Sequence, residues 1–187
     1  NMLTMGGARK ILEKILTVEN IQDLPSHIIA TATDLTHGKP CYFDKGDIIE
    51  AVIASSSIPV IFPPVMMDVI QYIDGGVLNN LPVRYIRNDC EKIAAFHVNP
   101  QNLGFHNGEV KGFINIADRA FNLCMFNNVL PDIPLCDFYL EHDNLDEYTT
   151  FDFSKSKEIF DLGYENTKNA LVDNNHKLII STKSQIK

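Results

Sequence analysis

Short runs of apolar and β-branched residues alternate along this chain with segments of helical period, and that alternation narrows the choice of fold more than any other feature. Residues 26–33 (Ser-His-Ile-Ile-Ala-Thr-Ala-Thr) read as a buried strand, and Cys41-Tyr42-Phe43 as a short one entering the turn at Asp44-Lys45-Gly46. Residues 69–73, 93–98 and 135–140 supply three more. The helical segments are equally legible. Ile11, Leu12, Ile15 and Leu16 share a stripe over residues 8–16, which predicts a helix packed on one side. Asp47, three residues before Glu50, forms a capping arrangement. Every residue from 48 to 54 except Glu50 is apolar, so this helix should be buried almost all round, with Pro59 ending the segment beyond it. Val110, Phe113, Ile114, Ala117, Ala120, Phe121 and Cys124 keep i, i+3, i+4 spacing. Residues 154–173 form a terminal helix with Ile159, Phe160, Gly163, Thr167, Ala170 and Leu171 inward. The pattern predicts an α/β fold: one layered domain over residues 1–187, with a mostly parallel central sheet flanked by helices. The continuous apolar run 93–98 suits a central parallel position.

Composition excludes several classes of function. The 187 residues are 45% hydrophobic, enough for a real core, and carry a net charge of −8. That charge argues against a nucleic-acid partner, whose affinity needs clustered Lys and Arg. No apolar run reaches the roughly 20 residues that span a bilayer. Residues 1–7 lack the basic and apolar regions of a signal peptide. Cys41, Cys90, Cys124 and Cys136 are scattered, with no Cys-x-x-Cys pair. They predict reduced, buried thiols, no metal, no cofactor and a cytoplasmic setting. The histidines are dispersed, and His97, inside an apolar strand, reads as a packed core residue. Residues 99–109 form a polar, turn-rich loop without the character of a domain boundary.

The chemistry concentrates at Asp74-Gly75-Gly76. A carboxylate that ends an apolar strand and precedes two glycines stands at a strand-to-loop corner. There the absent Cβ allows positive φ and close approach of a substrate. An Asp-Gly turn alone is common in any fold. Its flanks make it distinctive: Ala54-Ser55-Ser56-Ser57-Ile58-Pro59, Phe62-Pro63-Pro64 and Asn79-Asn80-Leu81-Pro82.

Taken together, residues 24–82 resemble the patatin-like phospholipases. The resemblance runs through Ala30-Thr31-Ala32-Thr33-Asp34-Leu35, Thr36-His37-Gly38, Gly46, the helix ending Ala54-Ser55-Ser56, Ile58-Pro59, Phe62-Pro63-Pro64 and Tyr72-Ile73-Asp74-Gly75-Gly76. A fainter likeness returns at Glu158-Ile159-Phe160-Asp161-Leu162-Gly163-Tyr164. The resemblance implies hydrolysis of lipid acyl esters by a serine–aspartate dyad, with Asp74 as the catalytic aspartate and Gly75, Gly76 and Asn79 toward substrate. It also implies a serine on a Gly-x-Ser-x-Gly turn and a glycine-rich oxyanion loop.

Neither of these maps onto the chain. None of the eight serines has glycines two residues before and after it. Met5-Gly6-Gly7-Ala8-Arg9 has the composition of the oxyanion loop but no strand before it. The expectation is therefore the C-terminal, aspartate-bearing part of a longer enzyme, incomplete on its N-terminal side. The missing N-terminal segment would carry the nucleophile, and this chain alone would be inactive. Ser55, Ser56 and Ser57 are read as helix-terminating residues, Asn79 and Asn80 as holding the loop beyond Gly76 through side-chain to backbone bonds, and Asp34 as a turn former able to approach the same sheet edge as Asp74.

Three alternatives stay open on sequence alone. The chain is either the enzyme segment, a non-catalytic binding or assembly protein that keeps the sheet, or an unrelated α/β domain. Ile61, Phe62, Met66 and Met67 suit an acyl chain or plain core packing equally well. Ile116, Leu123 and Phe126 suit a peripheral membrane contact, a homo-oligomer surface or the docking face for a missing segment. An open sheet edge or apolar face would drive self-association.

Overall fold

A computed structural model describes residues 4–98, 111–141, 148 and 153–172. They group into two compact units, residues 1–80 and residues 81–187. The expected loop 99–109, and His106, His142 and His176, lie outside the described residues.

The first unit opens with helix α1 (Gly6–Ile15), then strands β1 (Ala30–Asp34) and β2 (Lys39–Phe43). Helix α2 (Ile48–Ser55), strands β3 (Val65–Met67) and β4 (Ile70–Asp74) and the short helix α3 (Gly76–Asn79) come next. The strands form one four-stranded sheet in the order β2-β1-β4-β3.

Every pairing in that sheet is antiparallel, which corrects the expected mostly parallel sheet. The reason lies in the connections. β1 and β2 are joined through the tight turn 35–38, with Asp34 opposite Lys39 and Gly38 at φ 67°. β3 and β4 are joined by Asp68 and Val69 alone, with Asp68 at φ 54°. Parallel neighbours need a crossover of a dozen or more residues, so links this short can only make hairpins. Strand β3 has no signature of its own in the sequence, because Val65, Met66 and Met67 are apolar without alternation and abut β4.

Helix α2 forms as its sequence dictates. The Asp47 Oδ1 accepts hydrogen bonds from the Ile49 and Glu50 amides at 2.8 and 2.9 Å, satisfying donors that a helix start leaves open. Ile48, Ala51, Ile53 and Ala54 are buried, and no residue of the helix is fully exposed. One core cluster joins Ile21, Ile48 and Ala51 to Ala30 and Phe43. A second joins Ala54 to Ala32 and Tyr72, with Cys41, Val65, Met67 and Ile70 around it. Residues opposed across antiparallel strands share a face, so α2 covers the face bearing Ala32, Asp34, Tyr72 and Asp74. Small side chains at positions 32, 51 and 54 let the helix sit close to the strands.

Helix α1 departs from expectation. None of its residues is buried, and Ile11 and Ile15 are 60% and 64% exposed. Leu12 and Leu16 are only half-buried, and the Arg9–Glu50 ion pair at 2.7 Å ties α1 to α2.

The second unit comprises helix α4 (Val83–Ile86), strand β5 (Ala94–His97), helix α5 (Phe113–Val129), strand β6 (Phe138–Glu141) and helix α6 (Ser156–Val172). β5 and β6 pair in parallel, as the strand–helix–strand order predicts. Burial along β5 alternates instead of being continuous: Ala95 and His97 are inside while Ala94 and Phe96 are outside. The core here is Leu81, Val83, Ile93, Ala95, Val129, Ile133, Cys136 and Tyr139. Arg87 pins its margin, donating to the carbonyls of Leu135, Cys90 and Glu91 and to Asp137. Helices α5 and α6 occur where expected; α5 buries a different face, while α6 turns in most of the expected one, with Ile159, Gly163 and Thr167 half-buried. Met125 and Val129 anchor α5 while Phe113 is 82% exposed, and in α6 Ala170 is buried while Phe160 and Leu171 are open. All four cysteines are free thiols, but Cys124 is exposed, against the expectation of buried thiols.

Removing the α2 cap should be measurable: Asp47→Ala is expected to cost about 1 kcal/mol in urea unfolding, because two amides lose their acceptor.

Candidate active site

Strand β4 ends at Asp74, and the geometry there is fixed from three directions. The Asp74 backbone amide donates to the Ser57 carbonyl at 3.0 Å, just past the end of α2. The Asp74 carbonyl accepts from the Thr33 hydroxyl of β1 at 3.0 Å. The carboxylate Oδ1 accepts from the Gly76 amide at 2.8 Å, at the start of α3. No residue among those described donates to Oδ2. The side chain is half-buried, and desolvation pushes its pKa above the ordinary carboxylate value, with the Gly76 amide pulling the other way.

Gly75 makes this corner possible, though not through the conformational freedom first expected. Its φ is −67°, ordinary right-handed backbone, and the glycines at positive φ among the described residues are Gly38, Gly46 and Gly112. What excludes a side chain is space. A Cβ on Gly75 would lie 2.6 Å from both the carbonyl oxygen and the Oγ1 of Thr31. The chain leaving β4 thus lies directly on the backbone of β1.

Gly76 is buried and Asn79 half-buried. The Asn79 side-chain amide donates to the Tyr42 hydroxyl at 2.9 Å, on the edge strand β2, while its Oδ1 is buried without a partner among the described residues. Asn79 was expected to bond backbone; its partner is a side chain. Thr31, Thr33 and Tyr42 do not stand out in the sequence as site residues. The usable signal is register: once β1 pairs with β2, Thr31 faces Tyr42.

Ser57 is fully buried with its hydroxyl bonded to the Ile53 carbonyl at 2.7 Å, matching its reading as a helix-terminating residue. Asp34 lies on the same sheet face as Asp74, opposite Tyr72, in a contrasting environment. Its side chain is 3% exposed, 2.7 Å from the His37 ring and 4.0 Å from Lys39. Burial alone would raise it, but the hydrogen bonds from the His37 ring and amide and the nearby charge of Lys39 outweigh burial and hold its pKa below the ordinary value. Its Oδ1 also accepts the His37 amide at 2.9 Å, confirming a turn-stabilising role. In the second unit, His97 is buried as expected, with Nδ1 3.0 Å from the Tyr139 hydroxyl. That hydroxyl donates to Glu141 at 2.5 Å.

Among the described residues no helix is long and apolar enough to cross a membrane, and no group of His, Cys, Asp or Glu is arranged to hold a metal ion.

This corner lies within the part of the chain that is similar to known proteins. Residues 1–86 match the model of the patatin-like phospholipase family. An uncharacterised NTE family protein of Mycobacterium tuberculosis is 37% identical over 79 residues, which cover 41% of this chain and 22% of that protein. A second uncharacterised NTE family protein, from Mycobacterium bovis, is 32% identical over 90 residues, covering 48% of this chain and 15% of the relative. The matched segment therefore spans about a fifth or less of these relatives' length.

Two outcomes test the geometry. Gly75→Ala should destabilise the chain by about 1–3 kcal/mol in urea unfolding, since the obstruction is backbone and cannot rotate away. Asp74→Asn should raise the thermal midpoint at pH 7. A carboxylate whose folded pKa is raised opposes folding once ionised, and the amide can still accept from Gly76. That gain should vanish as the pH falls below the unperturbed value of 3.8, where Asp74 is protonated in both states.

Proposed function

We propose that this chain carries the general base of a patatin-like lipid acyl hydrolase, Asp74, and that the whole enzyme hydrolyses acyl esters through a serine–aspartate dyad. The observation that carries the reading is the Asp74 carboxylate itself. It is half-buried, with one oxygen held by the Gly76 amide and the other accepting nothing from the described residues, within the family-matched segment.

A serine hydroxyl is a weak nucleophile and needs a base within hydrogen-bond reach. A carboxylate made more basic by desolvation can serve without an intervening histidine. In this reading the serine Oγ attacks the acyl carbon while its proton passes to the open oxygen of Asp74. Backbone amides hold the oxyanion. Collapse of the tetrahedral intermediate returns the proton to the departing alkoxide, and water, deprotonated by the same Asp74, releases the fatty acid. Gly75 and Gly76 leave the approach to the carboxylate free of side chains, and Asn79 sits at the far end of the same short helix. The serine and the oxyanion loop would come from a segment of the enzyme outside this sequence, in keeping with the small share of the relatives that the match spans.

The test is hydrolysis of a p-nitrophenyl ester by this chain and by a form extended upstream in its coding sequence, each with and without Asp74→Asn. Turnover is expected only in the extended wild type, falling on the order of 100-fold or more with the substitution. Turnover indifferent to Asp74→Asn would sink the proposal. Turnover by the short chain, lost with Asp74→Asn, would place the nucleophile inside these residues.

A further inference from the structure

The Asp74 carboxylate is oriented by an amide of helix α3, and so the position of α3 decides whether that bond is made. Two of the contacts that hold α3 against the sheet lie at its opposite ends. One is steric: Gly75 lies on the Thr31 backbone with no room for a Cβ. The other is the hydrogen bond from the Asn79 amide to the Tyr42 hydroxyl at 2.9 Å, at the opposite end of the helix. Thr31 and Tyr42 face one another across β1 and β2, so both contacts land on adjacent points of the same sheet face. A helix this short has little rigidity of its own. The bond at Asn79 restrains the far end of the helix, where a pivot about Gly75 would move it most.

The state of Asn79 supports a role beyond stability. Its Oδ1 is buried and accepts nothing, an arrangement that costs free energy and that an apolar side chain would avoid. An asparagine serves here through the bond its Nδ2 makes to Tyr42.

We infer that Tyr42 is a positioning residue for the Asp74 carboxylate, acting through Asn79 and α3 on the Gly76 amide. The inference deepens the reading of Asp74 as general base, and rests on that reading for its catalytic meaning. Loosening the far end of α3 weakens the Gly76-to-Asp74 bond. That bond favours the ionised carboxylate, so its loss makes Asp74 harder to ionise.

The experiment is a pH titration of the Asp74 side-chain carboxyl by carbon NMR in this chain, for wild type, Tyr42→Phe, Asn79→Leu and the double variant. Each single variant is expected to move the Asp74 midpoint upward by roughly half a unit to one unit, the share of one backbone donor. The double variant should move it no further than either single one, because all three break the same bond. Asn79→Leu also removes the orphaned carbonyl, so it should shift Asp74 without a matching loss in urea stability. If Tyr42→Phe does not fold, Asn79→Leu carries the test alone. An unmoved midpoint in a folded variant, a shift in only one of two folded single variants, or additive shifts would overturn the inference. The titration does not depend on turnover. Were Asp74 not the base, Asp74→Asn would leave hydrolysis intact while the coupling to Tyr42 stood.

Discussion

The backbone of Gly75 resting on Thr31 is the contact from which the geometry of the corner derives. Because no side chain intervenes, the chain leaving β4 turns at once into α3 and brings the Gly76 amide back over the carboxylate it has just passed. The same closeness puts the Asp74 carbonyl within reach of the Thr33 hydroxyl, while the Asp74 amide meets the last carbonyl beyond α2. One missing methyl group therefore lets β1, α2 and α3 converge on a single residue. Glycine acts here by volume and not by dihedral freedom.

The two carboxylates on the α2 face show how environment divides labour between like groups. Asp34 is more deeply buried yet held ionised, because a histidine ring, a backbone amide and a lysine surround it. Asp74 has an amide and, among the described residues, no cation beside it, and desolvation prevails. The first serves as a fixed anion that locks a turn. The second is the one that burial makes more basic.

Much of the candidate site is legible in the sequence because it is local. The Asp47 cap, the buried run over residues 48–54 and the strand ending at Asp74 are set by neighbours within a turn or two. What escapes a sequence reading is set by contacts distant along the chain. Alternating strands and helices suggest parallel pairing, whereas the links at 35–38 and at Asp68-Val69 are too short for it. Gly75 stands out in the sequence for positive φ and substrate approach, whereas its φ is ordinary and the obstacle to a side chain, Thr31, emerges only once β1 and β4 are neighbours. Tyr42 reads as a mere strand residue, since nothing in Cys41-Tyr42-Phe43 announces a hydroxyl aimed at Asn79. For α1 and α5 the period is right, while the buried face depends on packing that periodicity does not encode.

The arrangement of the sheet also bears on the order in which it can assemble. The β1–β2 and β3–β4 hairpins each close over a few residues, at small cost in chain entropy. The seam between β1 and β4 joins positions such as Thr33 and Asp74, 41 residues apart. Loop closure weighs most on that seam, and pairings of long sequence separation are the slow ones. Asp74 sits on it. The carboxylate of the candidate site thus acquires its surroundings only when two independently formed ribbons meet, at the seam of this sheet that is slowest to close.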